Sequence, residues 1–392
     1  MTKRVLSIIL SLILALSLCV CAFAEETAKV VEIATADDLY TFAERVNSGE
    51  RDLDAVLTDN IIVNETVFDE NGDLTEDTVA LRAWTPAGAP DLTSDHPDHD
   101  YAYKGTFDGK GFYISGLYYD TEDGTGGIFW TLGENATVKN LGVINSYFKG
   151  DTLGAIAGLT ENYVTIENCY SDCFITGDVY EGGIAGTLGG SSLIKNCYSL
   201  GTTSSPAYAG GLVGVSWGII EDSFSYGKVL TDTDTVYIGG ICGLSMGGIT
   251  KNSYFNKTAF GGTAVGTAEY DSVVENTTGK TKYAFTSGEV AYLLQNGQED
   301  SVWGQNIDNG EIVSGYPQFN AGRVYTGTNC KGGTIYTNYE DVTGEHSYKD
   351  GNCIYCYKYE PQGNSSPAVS SITLTVFAFI EALLNFLSSF FA

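Results

Sequence analysis

Apolar residues and glycines recur through the middle of the chain in a five-residue phrase. The copies are GGIFW from Gly126, GAIAG from Gly154, GGIAG from Gly182, GGLVG from Gly210 and GGICG from Gly239, and their starts lie 28, 28, 28 and 29 residues apart. Self-similarity at such a period is typical of a solenoid, in which each repeat buries its apolar face against its neighbours. The copies are rich in residues that favour strands over helices. The pattern therefore predicts an all-β solenoid of about five 28-residue coils.

A second phrase follows each glycine phrase and alternates in charge from copy to copy. In parallel in-register stacking, equivalent side chains lie about 4.8 Å apart, so opposite charges meet and a slip of one coil is disfavoured. The next position is Asn or Asp, and we expect these amides to hydrogen bond along the coil axis. The charged column is Lys139, Glu167, Lys195, Glu221 and Lys251, and the polar column is Asn140, Asn168, Asn196, Asp222 and Asn252.

The position of the asparagine in its coil has two interpretations. If the phrase is one continuous strand, Ile166, Asn168 and Tyr170 share a face and Cys169 lies on the other. If the asparagine turns a corner instead, the alternation restarts and Cys169 faces inward. Cys169 and Cys197 occupy equivalent positions of adjacent coils and are expected to be packed thiols, since in-register neighbours seldom offer disulfide geometry.

The two ends of the chain carry apolar segments. Lys3 and Arg4 precede an apolar run that closes with Ala22-Phe23-Ala24, which predicts a signal peptide over 1–24 and an exported protein. Residues 370–392 are almost wholly apolar and predict a helix that associates with the membrane, with self-association as the alternative. We therefore expect a protein that is extracellular or retained at the cell surface.

Capping segments are predicted on both sides of the repeats. Residues 25–104 are assigned as an N-terminal cap, with a helix after Thr35 that buries one apolar face and strands near residues 55 and 61. The β-helix itself is predicted over 105–266. A C-terminal cap follows over 267–325, with a capped helix from Ser287 and with Trp303 and residues 316–319 closing the end. A cysteine-containing segment over 326–360 and a linker over 361–369 complete the plan.

The charge of the chain restricts its partners. The formal net charge is −29, and removal of Lys3 and Arg4 with the signal peptide leaves −31. Such a surface repels nucleic acid and anionic membranes, and it either keeps a repetitive β protein soluble or condenses divalent cations such as calcium. The run Asp95, His96, Asp98, His99 and Asp100 has metal-ligating side chains, although its proline and turn residues equally indicate a solvated loop.

Four residues near the C-terminus form a possible metal set. Cys353 and Cys356 are spaced C-x-x-C, with His346 and Cys330 upstream, and three thiolates with one imidazole match a closed structural zinc site. An exported protein can equally bridge two of these cysteines. Zinc and a disulfide both remain open from the sequence.

The repeats are similar to a known motif. The phrase GGIAG with IKNCYS, and GGLVG with IEDSFS, resemble the GLUG motif of bacterial surface proteins, and flanking segments resemble those of exported proteins of gut Firmicutes. The resemblance implies a right-handed parallel β-helix at the cell surface, with no agreed biochemical activity. The first repeat departs from the pattern with Trp130 and with Leu141-Gly142. Some immunoglobulin A peptidases carry the motif, but no H-E-x-x-H sequence occurs here and the chain has three histidines.

These patterns favour a binding role. No catalytic residues are assigned, because Lys195 interrupts the carboxylates of Glu167 and Glu221, whereas glycosidases need paired acids. We expect adhesion to an extracellular glycan or to a host or neighbour protein. A carbohydrate-active enzyme, such as a polysaccharide lyase or glycosidase, is the main alternative, and a structural envelope component is the second. The ligand and the oligomeric state are not specified by the sequence.

Overall fold

The fold is taken from a computed structural model that describes residues 30–90, 101–233, 237–308, 311–312, 314–349, 352–354 and 356. The chain divides into two units. The first comprises residues up to Tyr325 together with Tyr336–Asn338, and the second comprises Thr326–Ile335 and the chain from Tyr339 onward.

The first unit is a parallel β-helix built from three sheets. Its strands pair in parallel with equivalent residues of the next coil, for example Ile166 with Ile194 and Ile194 with Ile220. Within the described residues the first sheet has nine strands: Val31–Ile33, Ala55–Leu57, Thr106–Asp108, Thr137–Lys139, Thr165–Glu167, Leu193–Lys195, Ile219–Glu221, Ile249–Lys251 and Val273–Glu275.

The other two sheets complete each coil. The second sheet contains Ile61–Ile62, Tyr113–Ser115, Tyr118–Asp120, Thr125–Gly126, Gly142–Gly154, Tyr170–Gly182, Tyr198–Ser199, Thr202–Ser204, Tyr208–Gly210, Phe224–Ser225, Lys228–Leu230, Tyr237–Gly239, Tyr254–Asn256 and Thr278–Lys280. The third contains Phe129–Leu132, Ala157–Thr160, Ala185–Leu188, Val213–Ser216, Cys242–Met246 and Val265–Glu269. The predicted all-β solenoid is confirmed.

The asparagine column lies at the corner between the first and second sheets. Asn168 has a φ of 54° and Asn196 a φ of 51°, in the left-handed region that asparagine tolerates better than most residues. The alternation restarts after this corner, so Cys169 and Cys197 are buried in the core. The second of the two interpretations of the sequence is therefore the right one.

The solenoid has more coils than the five predicted. Strands Val31–Ile33 and Ala55–Leu57 already belong to the first sheet, although they lie in the segment assigned as a cap, and Val273–Glu275 extends the sheet at the other end. The predicted N-terminal helix, α1, spans Ala36–Asn47, with the Thr35 hydroxyl accepting a hydrogen bond from the Asp38 amide. It buries Leu39, Phe42, Ala43 and Val46, and a 3₁₀ helix follows at Thr78–Ala80.

Trp303 and Phe319, which the sequence analysis assigned to the closing of the end, pack on the flank of the solenoid against Tyr198. Helices α2 (Lys282–Thr286) and α3 (Glu289–Gln295) are followed by antiparallel pairs of Trp303–Gly304 with Gln318–Phe319 and of Ile307–Asp308 with Glu311–Ile312. Trp303 Nε1 donates a hydrogen bond of 2.9 Å to the carbonyl oxygen of Asp222, which follows Ile219–Glu221, a strand two coils before the last strand of the first sheet. Helix α3 also begins later than predicted, because Gly288 in the left-handed region precedes it and Ser287 ends α2.

The remaining strands lie near the C-terminus. Tyr325–Asn329, Thr334–Thr337 and Thr343–Glu345 form a three-stranded sheet, and Tyr348–Lys349 pairs with Asn352–Cys353 as an antiparallel hairpin.

Candidate functional site

The second unit brings the four predicted metal-ligating residues together. Cys330 follows a strand, in a turn where the Asn329 side-chain oxygen accepts hydrogen bonds from the amides of Lys331 and Gly333. Cys353 ends the second strand of the hairpin, next to a hydrogen bond of 2.9 Å from the Ile354 amide to the Ser347 carbonyl. The turn and the hairpin thus present side chains that are 23 residues apart in sequence at one place.

The geometry of this Cys₃His cluster fits a tetrahedral metal. The ligand atoms of Cys330, His346, Cys353 and Cys356 all lie within 4.8 Å of one another. The Sγ atoms of Cys330 and Cys353 are 3.6 Å apart, and Cys356 Sγ is 3.3 Å from His346 Nδ1. Zinc–sulfur bonds of about 2.3 Å in a tetrahedron imply ligand–ligand distances of roughly 3.8 Å. All four positions would be filled by protein, so the set suits a structural ion and leaves no place for a substrate.

None of the seven described cysteines, which include the three of the cluster, is in a disulfide. Partial burial and the neighbouring thiols of Cys356 and Cys353 raise the pKa of Cys330 above its usual value. Close packing of thiols disfavours their ionisation in this way, whereas a bound dication would favour the thiolate forms.

In the charged column of the solenoid the predicted ion pairs form at Glu221, whereas among the described residues Glu167 has no lysine nitrogen within 4 Å. Lys195 Nζ lies 2.9 Å from a carboxylate oxygen of Glu221, and Lys251 Nζ lies 2.7 Å from the other oxygen. Both lysines lower the pKa of Glu221 against the opposing effect of its burial. A carboxylate held by two ammonium groups is poorly suited to general acid or base chemistry.

One unusual acid, Glu181, was missed by the sequence analysis. Its side chain is fully buried, and burial raises its pKa to about 8, an effect increased by Asp178 and Asp151 and opposed by hydrogen bonds from Ser205 and the Val179 amide. A raised pKa is a common property of catalytic acids, but a carboxyl group with no exposed surface cannot reach a polysaccharide. Side chains alternate along a strand, so the position of Glu181 directly after the outward-facing Tyr180 was the signal in the sequence that its side chain points inward.

Two aromatic columns run along the outer face of the second sheet. In one, the ring centroids of Tyr118 and Tyr147 are 6.0 Å apart and those of Tyr147 and Phe174 are 5.8 Å apart. In the other, Tyr208 stacks on Tyr237 with centroids 4.8 Å apart, and Tyr180 packs against Tyr208 at 5.1 Å with its ring tilted by 51°. All six side chains are half-buried. Because the rings pack against one another along each column, their edges rather than their faces remain for contact with a partner.

A third aromatic column is covered by the chain itself. Tyr198 stacks on Tyr170 at 5.0 Å and on Phe224 at 4.9 Å, and Trp303 and Phe319 pack over these rings. Tyr198, Phe224 and Tyr254 are buried, so this column contributes to the packing of the protein.

Several predicted features lie outside the described residues. These are the signal peptide, the Asp95–Asp100 run with its two histidines, the linker and the apolar tail. In the part of the chain that the structure describes, no helix has the length and apolar character required to cross a membrane.

No family model matches the chain, and no curated protein matches it. Among solved structures, a Bacteroides ovatus protein that carries the provisional name immunoglobulin A1 protease is 18% identical, with a TM-score of 0.47. The alignment covers 74% of this chain and 91% of that protein.

Proposed function

We propose that this chain is an exported, surface-retained β-helix protein of a bacterium and that it binds a glycan or protein of its surroundings. The observation that carries the proposal is the pair of half-buried aromatic columns on the second sheet. Tyrosine is enriched in binding surfaces because it offers a large contact area and a hydroxyl group with little loss of conformational entropy. Columns that extend over successive coils offer such contacts as a continuous surface.

The surroundings of the columns favour a polar partner. The Tyr118 hydroxyl lies 3.3 Å from Asp120, whose carboxylate also pairs with Lys149 at 3.2 Å. Hydroxyl groups, an acid and a base thus lie beside apolar ring edges, which is the mixture found at protein interfaces. We therefore favour a binding role over the alternative of a carbohydrate-active enzyme, for which Glu181 is too deeply buried and Glu221 too strongly paired.

A binding screen tests this proposal. The purified protein is applied to arrays of glycans and of mucosal and bacterial surface proteins, with and without calcium, and bound polysaccharides are assayed for cleavage. We expect binding without cleavage, and we expect the double variant Tyr147→Ser/Tyr208→Ser to lose most of it. Tyr163→Ser is the matched control, because Tyr163 is 55% exposed and belongs to neither column. Binding that is unchanged in the double variant, or turnover of a polysaccharide, would contradict the proposal.

For the second unit we infer a structural zinc ion held by Cys330, His346, Cys353 and Cys356. The convergence of four ligand atoms within 4.8 Å supports it. A small segment with few buried apolar residues gains much of its folding free energy from such an ion. The ion would fix the turn at Cys330 against the hairpin that ends at Cys353.

A further inference from the structure

A groove of about 520 Å³ lies on the flank of the solenoid, beside the covered aromatic column. One wall is formed by the corner residues Asn140 and Asn168 with Tyr170, and the other by Val302 and residues 318–320. The hydrogen bond of Trp303 to the Asp222 carbonyl holds the second wall against the solenoid. A volume of this size is within the usual range for ligand sites, about 300–1,000 Å³.

Amide side chains supply the hydrogen-bonding groups of the groove. Within the described part of the chain, the side-chain amides of Gln318 and Asn320 make no hydrogen bond, although the Asn320 backbone amide donates to the Val302 carbonyl. Asn140 and Asn168 each use one N–H in the corner column, donating to Asp108 at 3.0 Å and to Asn140 at 3.1 Å. Each Nδ2 has a second N–H. The groove therefore offers several amide donors and acceptors, a set that complements a ligand rich in hydroxyl groups.

Aromatic side chains supply the apolar surface and further hydroxyl groups. Tyr170, Tyr198 and Phe319 line the groove. Among the described residues, neither tyrosine hydroxyl has a hydrogen-bond partner, and burial raises the pKa of both, so they remain neutral donors. A sugar has the matching composition, because C–H groups alternate with hydroxyl groups around its ring.

The charge of the groove selects among sugars. None of the described residues that line it is charged, and two acids lie beside it: Asp108 accepts the hydrogen bond of Asn140, and Asp172 is near enough to Tyr198 to raise the pKa of its hydroxyl further. Together with a net charge of −29, this disfavours uronic and sialic acids. We infer that the groove binds a neutral oligosaccharide. This inference deepens the proposed binding role at a different surface from the exposed columns.

Calorimetric titration of the purified protein with neutral cello-, malto-, xylo- and chito-hexasaccharides tests the inference, with sialyllactose and polygalacturonate as acidic probes. We expect at least one neutral probe to bind and the acidic probes not to bind. The double variant Gln318→Ala/Asn320→Gly should raise the Kd about tenfold or more, since it removes both unpaired amides. Glycine is chosen because Asn320 has a φ of 55°.

Asn296→Gly is the matched control. Asn296 also has a positive φ, 46°, is exposed, and lines a different groove beside α3, so the variant should bind the sugar as the natural protein does. Failure of every neutral probe to bind, or binding that survives the double variant, would overturn the inference. If the groove binds no sugar but another partner still binds through Tyr147 and Tyr208, only this inference fails and the proposed function stands. The failure of the inference can therefore be told apart from the failure of the proposed function.

Discussion

Asn196 donates a hydrogen bond of 3.1 Å from Nδ2 to Oδ1 of Asn168 in the neighbouring coil. Asn168 donates in the same way to Asn140, and Asn140 donates to Asp108, where the run ends. A carboxylate has no N–H to donate to the side chain of the next coil, so an aspartate terminates such a run of hydrogen bonds. Asp222 does the same for a second run, in which it accepts from Asn252 at 3.2 Å. The aspartate in the polar column thus divides the ladder in two.

The variant Asn168→Ala is expected to lower the free energy of unfolding by about 2–3 kcal/mol. It removes two hydrogen bonds of about 1 kcal/mol each and places alanine in the left-handed region, at a further cost of about 1 kcal/mol. Urea denaturation followed by circular dichroism measures the change. Asn168→Gly is the control, because it loses the same hydrogen bonds without the backbone strain. Equal stability of the two variants would show that the corner conformation contributes nothing.

The variant Gly142→Ala should destabilise the solenoid by about 1–3 kcal/mol, the usual effect of overpacking. The Tyr170 ring lies over Gly142, and a Cβ atom at this position would collide with it. The double variant Gly142→Ala/Tyr170→Ala should relieve the collision, so its effect should be smaller than the sum of the two single effects. Gly261→Ala is the control, since a Cβ there meets no atom within 4 Å. Additive effects of Gly142→Ala and Tyr170→Ala on the melting temperature would contradict this explanation.

The repeated parts of the fold were predictable because every coil obeys the same constraints. Lys195 and Glu221 had to alternate in sign to stack, and their ion pair is present. The coils at the ends were not predicted because a strand can extend a sheet through backbone hydrogen bonds alone, without the side-chain pattern of the repeat. Val31–Ile33 and Ala55–Leu57 join the first sheet without either phrase of the repeat.

Long-range packing on the flank was not predictable. Trp303 and Asp222 are 81 residues apart in the sequence, and no pattern links them. The departure at Leu141-Gly142 was visible as an atypical repeat, but its cause, the ring of Tyr170, appears only when the coils are stacked. The ligand set Cys330, His346, Cys353 and Cys356 was identifiable because its chemistry depends on residue type, whereas the groove depends on where Gln318 and Asn320 come to lie.

Glu181 should make the solenoid less stable as the pH rises. Its carboxyl group keeps its proton in the folded protein up to about pH 8, whereas its ordinary value is 4.5. Between these two values only the unfolded state releases the proton, so stability falls with rising pH; below about pH 4.5 both states are protonated and the effect is absent.

The variant Glu181→Gln should remove this dependence. We expect the variant and the natural protein to have similar melting temperatures near pH 5 and the variant to melt higher at pH 9. Glu122→Gln is the control, because Glu122 is exposed. A difference in melting temperature between variant and natural protein that does not change from pH 5 to pH 9 would contradict the assignment of a neutral buried acid.

Zinc removal should affect the second unit and leave the solenoid folded. The metal ligands all lie in the second unit, whereas the core of the β-helix is formed by apolar residues such as Ile166 and Ile194. We expect one zinc ion per chain by elemental analysis, and we expect chelation to increase amide hydrogen exchange near Cys330 and Cys353 but not in the first sheet.

Cys353→Ser should lose the ion, because three ligands hold zinc much less tightly than four. Cys242→Ser, which changes a buried thiol of the solenoid, should retain it. A metal-free protein in which Cys353 and Cys356 are disulfide-bonded would contradict the zinc site and show a structural disulfide instead, because a bridged pair cannot supply two thiolates to a metal.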